Sequence, residues 1–274
     1  MIDMKKTLFF TSILFGLMSA SSCAMFEIDN YDAPSETLRG RVIDAATGEP
    51  VLTDQGSEGI RVRLEETSWE GNVTPQDFNC RPDGTFQNTK LFEADYNVRV
   101  DGPFIPIVRL SPDGTVLQDD SQNVHIKGVT ELEFKVQPFL KVEFVGLPTV
   151  DDGQITAKVR VSRAVSKEDF KAAIEPMGNW KDEYSNVTDI QLFVSYSSSV
   201  GYRARDEVWS SSIEYNGADF EPLLGTEITI KSNVDRERIP SGRHVFIRAA
   251  SRINYETAGY KRWNYSEPLE VIIP

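Results

Sequence analysis

Apolar and polar residues alternate along most of this chain, and that alternation restricts its fold more than any other feature. Ile60, Val62 and Leu64 alternate with Arg61, Arg63 and Glu65, and Tyr96, Val98 and Val100 with Asn97, Arg99 and Asp101. Successive side chains of a strand point to opposite faces, so each stretch reads as an antiparallel strand with one face on a core and the other in water. The runs Ile155, Ala157, Val159, Val161 and Ile190, Leu192, Val194, Tyr196 repeat the pattern further on. Pro82-Asp83-Gly84-Thr85 and Pro112-Asp113-Gly114-Thr115 supply turns, since proline presets φ and glycine accepts the left-handed conformation that closes the bend. The expected class is all-β.

A chain of 274 residues exceeds the usual single domain. Leu132, Phe134 and Val136 end one strand, Leu140, Val142 and Phe144 begin another, and Pro138, unable to donate to a ladder, stands between them. The expected organisation is two tandem antiparallel β-sandwich domains, 37–137 and 138–274, joined so tightly that their mutual angle is fixed. One short helical insertion is expected in the second: Ser166 with Asp169 three residues on forms a capping pattern, and Phe170, Ala173 and Ile174 fall on one face.

The N-terminus is of another kind. Lys5-Lys6, an apolar run from Leu8 to Met18 and small residues before Cys23 make a secretory signal peptide over residues 1–22, too short to span a bilayer stably. A cysteine directly after the small residues resembles the lipobox of bacterial lipoproteins, which implies lipidation at Cys23. The acidic stretch Glu27 to Asp32 that follows resembles the surface-export signal of Bacteroidetes lipoproteins. Residues 23–36 are accordingly expected to be a lipidated N-terminus and tether, and the protein to sit in the outer membrane, lipid-anchored and facing the cell exterior. Its only hold on the membrane would be the lipid.

Charge and residue counts remove several function classes. With 29 basic against 42 acidic residues and a net charge of −13, the chain lacks the basic surface that nucleic acid requires. A lipidated Cys23 leaves Cys80 without a partner, so stability must come from packing. The two histidines, His125 and His244, fall in different expected domains, and no His-Glu-x-x-His, Gly-x-Ser-x-Gly or phosphate-cradling glycine loop occurs. No enzyme and no cofactor are expected. Asp119-Asp120 and Asp151-Asp152 read as solvated turn residues, a weak calcium site being the lesser alternative. His244 is expected to pack and make one hydrogen bond, and Trp69 and Trp209 to be structural.

Two stretches resemble known domains. Gly40-Arg41-Val42-Ile43-Asp44, Thr47-Gly48-Glu49-Pro50-Val51, Pro82-Asp83-Gly84-Thr85-Phe86 and Tyr96-Asn97-Val98 resemble the transthyretin-like, or carboxypeptidase-regulatory-like, domain. That resemblance implies a small non-catalytic sandwich. Ile239 to Ser251, followed by Asn264-Tyr265-Ser266-Glu267-Pro268, is similar to the last two strands of a fibronectin type III domain, with His244 where a tyrosine is usual.

In that topology the loop after the second strand and the loop before the last emerge at one end. The first holds Trp180 and Tyr184 with Asn179 and Asp182; the second holds Tyr255, Tyr260, Trp263 and Tyr265 with Asn254 and Arg262. Aromatic faces stack on sugar rings while amides, carboxylates and guanidinium groups bond the hydroxyls, so these residues are the candidate glycan-binding set. With the first sandwich as a spacer, the Trp180 and Trp263 loops are expected at the outer part of the molecule. The whole resembles a Bacteroidetes surface lipoprotein family of starch-utilisation-type uptake loci. This implies an accessory component binding poly- or oligosaccharide beside an outer-membrane transporter and its lipoprotein partner. The alternative is a structural or protein-interaction subunit of that complex with no glycan contact.

Overall fold

The computed structural model describes residues 33–68, 71 and 73–274; the expected leader, Cys23, most of the tether and Trp69 lie outside the described residues. The strands predicted from alternation are present. In β5 (Ala94–Asp101) every second side chain is buried, and β2 (Arg61–Glu66) buries Val62 and Leu64 while Arg61, Arg63 and Glu65 line its other face. β2 and β5 pair antiparallel between β3 (Gln76–Asn79) and β8 (Gln122–Ile126). Over this sheet lies a second one, β4–β1–β9, built of β1 (Glu36–Asp44), β4 (Thr85–Leu91) and β9 (Val129–Val136). Leu38, Val42, Phe86 and Phe134 from the second sheet meet Ile60, Val62, Leu64 and Val98 in one core.

One pairing departs from the expected antiparallel scheme. β1 and β9 run parallel from Thr37↔Val129 to Asp44↔Val136, braced across the outer face by Arg39 on Glu131 and by Arg41 Nε on Glu133 Oε2 at 2.8 Å. A period of two reports which face is buried but carries no direction, so alternation alone could not reveal this pair. A separate hairpin, β6 (Val108–Leu110) with β7 (Val116–Asp119), projects from this half and turns on Gly114 at φ +87°.

Beyond Pro138 a second sandwich forms. β12 (Gln154–Arg163) is flanked by β10 (Leu140–Phe144), β11 (Thr149–Asp151) and β15 (Glu227–Lys231). Facing it, β13 (Val187–Ser195) and β16 (His244–Ile253) pair centrally, with β14 (Ser211–Glu214) on one side and β17 (Asn264–Tyr265) and β18 (Leu269–Ile272) on the other. Between β12 and β13 lies α1 (Lys167–Ile174). Ser166 Oγ accepts from Asp169 N at 3.0 Å, the expected cap, and Phe170, Ala173 and Ile174 are the buried face. His244 is exposed and bonds Glu270 Oε1 through Nδ1 at 2.9 Å, so the expected hydrogen bond is made and the expected packing is not. His244 shares the outward face of β16 with Phe246 and Arg248, while Val245, Ile247 and Ala249 point into the core.

The two sandwiches are parts of one compact unit, Ser35–Pro274. Arg248, on the outward face of β16 and only 2% exposed, is the pin. Its Nε donates to Ser266 O at 2.8 Å, while Nη1 reaches Thr53 O at 2.8 Å and Nη2 reaches Pro82 O at 3.2 Å, both in the first sandwich. Asn264 Nδ2 donates to Pro103 O at 3.0 Å, Thr257 Oγ1 to Gly102 O at 2.7 Å and Arg262 Nη1 to Gly59 O. The described unit thus owns its cores and its internal interface, and a chain from residue 24 onward carries all of it.

Candidate functional site

α1 begins the site. Its buried Phe170 packs edge-on to Phe139, at 5.5 Å between centroids, and forms the base on which further rings assemble. After the turn Glu175–Met177, Gly178 at φ +87° and Asn179 at φ +57° bend the chain outward. Both values lie in the left-handed region that glycine and asparagine tolerate best. Trp180 follows at once, 5.7 Å from Phe170, with its indole N–H donated to Asp182 Oδ1 at 2.8 Å. A short helical turn, Asp182–Ser185, then presents Tyr184 edge-on to Trp180 at 6.0 Å.

The second loop arrives from β16. Tyr255 lies 5.4 Å from both Tyr184 and Phe170, so residues more than seventy positions apart in sequence share one ring cluster. Around it, Asn179 and Asp182 are exposed and Asn254 is half-buried. Asn254 Oδ1 accepts from Lys261 Nζ at 2.6 Å, and Lys171 Nζ stands 5.8 Å from the Trp180 ring centroid. Burial, and then the neighbouring Tyr184, push the Tyr255 phenol above its ordinary pKa, so at neutral pH it is an uncharged group able both to donate and to accept. Trp180, Tyr184 and Tyr255 each keep part of their surface in solvent. Three partly open rings bordered by amide, carboxylate and ammonium groups can stack on an uncharged ring and bond its hydroxyls.

The other candidates lie elsewhere. Tyr260 is 46% exposed on the turn Thr257–Tyr260, with the Arg262 guanidinium 5.5 Å from its ring. Arg262, Trp263 and Tyr265 are 3%, 4% and 5% exposed, which corrects the expectation that they face a ligand. Trp263 stacks on Tyr202 at 4.7 Å and donates its indole N–H to Asp189 Oδ1 at 2.9 Å, and the Arg252 guanidinium stands 4.2 Å from its centroid. Tyr265 lies under Arg248, 4.6 Å from the guanidinium. Burial dominates at Arg262, lowering its pKa to about 10, yet the side chain stays cationic at neutral pH.

Trp263 is covered within the second sandwich by Phe193, Tyr202 and Arg252, whereas Arg262 and Tyr265 are buried where the loop before the last strand meets the first sandwich, at Gly59 O and Asp54 Oδ2. The chain enters a sandwich of this kind at the end from which both loops emerge, so that end faces the preceding domain. The ring cluster therefore sits at the junction, not at the outer part of the molecule. Pro112 of the β6–β7 turn lies so close to Gly178 that a Cβ there would come within 2.8 Å of it, and Arg109 Nη1 donates to Ala173 O at 2.9 Å. Sequence reasoning missed the pinning residues, although one signal was present. Phe246, Arg248 and Ala250 share the outward face of β16, and apolar neighbours around a cation on an outward face mean that something covers it.

Comparison with known proteins adds to this geometry. Residues 36–137 match the family described as "Protein of unknown function (DUF3823) N-terminal domain". The crystal structure of a DUF3823 family protein from Bacteroides uniformis ATCC 8492 is 65% identical, covers 88% of this chain and 100% of its own, and superposes with a TM-score of 0.84. A candidate carbohydrate binding protein from the same organism is 19% identical, with the same two coverages of 88% and 100% and a TM-score of 0.62. A DUF3823 family protein from Parabacteroides merdae ATCC 43184 is 16% identical, again over 88% and 100%, with a TM-score of 0.57. At such identities the last two likenesses are likenesses of fold. A comparison with the curated proteins finds no match.

Proposed function

This chain belongs to the DUF3823 family, and on that premise we propose that it is a non-catalytic lipoprotein of a polysaccharide-uptake system that binds glycan through Trp180, Tyr184 and Tyr255. Cys23 is the lipid attachment point, the outer membrane is its location, and the exterior is the side it serves. The observation that carries the reading is the convergence of two separate loops on one half-open aromatic cluster with hydrogen-bonding neighbours at its rim. The candidate carbohydrate binding protein of like fold supports the same reading. A lipid-anchored binder would hold polysaccharide close to an outer-membrane transporter and its lipoprotein partner.

One observation favours a second reading, in which the protein is an interaction subunit of that complex. Leu110 and Val116, paired across the β6–β7 hairpin, are 45% and 60% exposed on one of its faces and Leu117 is 42% exposed on the other, apolar surface suited to another protein. Native affinity gels separate the two. The chain from residue 24 onward, run through gels containing individual polysaccharides, is expected to be retarded by at least one of them and Trp180→Ala to migrate freely. Equal migration of both in every gel would favour the interaction subunit, and release of reducing ends would overturn the non-catalytic assignment.

A further inference from the structure

A groove of about 650 Å³ opens beside β14, away from the ring cluster. Gln191 on β13 and Ser212 on β14 contribute from one sheet, Gln154 at the start of β12 and Asn233 just after β15 from the other, and Arg205 and Glu207 from the loop between β13 and β14. Several of these groups are held in place. Gln191 Nε2 donates to Asp189 Oδ1 at 2.9 Å, and Asp189 is itself fixed by Trp263 Nε1 at 2.9 Å and Arg252 Nε at 2.7 Å. Gln154 Nε2 donates to Ser232 O at 3.0 Å. Asn233 Oδ1 accepts from Asp235 N at 2.9 Å.

Each amide has spent one end on the protein, which decides what the other end offers. Gln154 and Gln191 offer their Oε1 atoms as acceptors, and Asn233 offers its Nδ2 as a donor. None of the three has a partner at that end among the described residues. The Ser212 hydroxyl can do either. The one cation, Arg205, is bonded to Glu207 Oε1 at 2.9 Å and to Tyr202 O, so the groove has little to hold a phosphate. Val234 is the only apolar side chain in the lining, so a lipid or an aromatic ligand would find no wall to pack on. Acceptors and donors fixed in advance, with the exposed Asp235 carboxylate as a further acceptor and Val234 as the single apolar side chain, match a row of hydroxyl groups.

We propose that this groove is a second glycan contact, binding the hydroxyls of an uncharged sugar chain by hydrogen bonds rather than by ring stacking. It rests on the reading of the protein as a glycan binder and deepens it, since it makes the ligand a neutral polysaccharide long enough to engage two places. Two modest contacts on one chain raise the overall affinity through effective concentration.

The test uses the chain from residue 24 onward with soluble amylopectin, xylan, glucomannan and mixed-linkage β-glucan as probes. Affinity gels select the polysaccharides that are retained, and titration calorimetry then compares the wild type with the Gln154→Ala, Gln191→Ala double variant. Loss of two hydrogen bonds to neutral groups is expected to weaken binding about tenfold. A second readout does not depend on the variant folding: in ¹⁵N-labelled wild type, the side-chain amides of Gln154, Gln191 and Asn233 are expected to shift as polysaccharide is added. Still amides with unchanged affinity in the double variant, alongside lost binding in Trp180→Ala, would overturn the groove and leave the ring cluster standing. If no probe is retained by the wild type, both readings fall together.

Discussion

Replacing Arg248 by methionine keeps most of the aliphatic stem and removes only the guanidinium, so it tests directly what joins the two sandwiches. In the wild type the buried carbonyls Ser266 O and Thr53 O and the half-buried Pro82 O receive donors from this one side chain at 2.8, 2.8 and 3.2 Å. A buried acceptor stripped of its donor costs about 1–3 kcal/mol, and methionine cannot replace any of the three. Some of that is returned, because burial disfavours the arginine charge and already lowers its pKa, with Tyr265 and Asp54 acting against the shift. Three acceptors at that cost, less what the lost charge returns, give an expected loss of about 3–5 kcal/mol. Urea unfolding, followed by circular dichroism and by tryptophan fluorescence, should give one transition in the wild type and a lower, divided transition in Arg248→Met. A loss under about 1 kcal/mol with a single unchanged transition would refute the argument, because surface substitutions change stability by no more than that.

Other outcomes follow from single residues. A Cβ at Gly40 would collide with the Leu132 carbonyl and lie 2.5 Å from Phe86 Cζ, so Gly40→Ala should force β1 from β9 and cost about 3 kcal/mol in urea midpoint analysis. Burial raises the Cys80 thiol well above its ordinary range. It should therefore ignore a disulfide reagent at pH 8 in the folded protein and react fully in denaturant. His125 is raised because Asp95, and then Glu93, hold its ring. Its contribution to stability is thus fully present below the ordinary histidine value of about 6.5 and is lost as pH rises through the higher folded value. NMR titration should give a folded pKa above that of the unfolded chain, and Asp95→Asn should bring it back down. Asp77 behaves in the opposite sense, since its hydrogen bond from Arg63 holds it below the usual carboxylate range and its contribution is lost as pH falls through that lower value.

What could be read from the sequence was whatever depends on neighbours along the chain. The strands holding Ile155 to Val161 and Ile190 to Val194, the turns at Gly84 and Gly114 and the cap of α1 at Ser166 are all local, and all are present. The parallel partnership of β1 with β9 joins residues ninety-two positions apart and leaves no trace in the period of either strand. The same holds for the site. Trp180, Tyr184 and Tyr255 could be chosen because aromatic residues stood in two loops of one expected topology. Whether a ring in such a loop is open or covered depends on partners distant in sequence: Trp263 is covered by Tyr202, and Tyr265 by Arg248, whose guanidinium reaches across the junction to Thr53 O. The half-buried amides of Gln154 and Gln191 look like any solvated strand residue until their partners are known.

The central claim is that the Trp180–Tyr184–Tyr255 cluster binds glycan, and the measurement that bears on it most directly is a calorimetric titration of a gel-retained polysaccharide into the chain from residue 24 onward and into Trp180→Ala. Removal of one stacking ring is worth about 1.4 kcal/mol or more, so the dissociation constant should rise at least tenfold in the variant while its circular dichroism spectrum stays that of the wild type. Equal dissociation constants in two equally folded proteins would contradict the account.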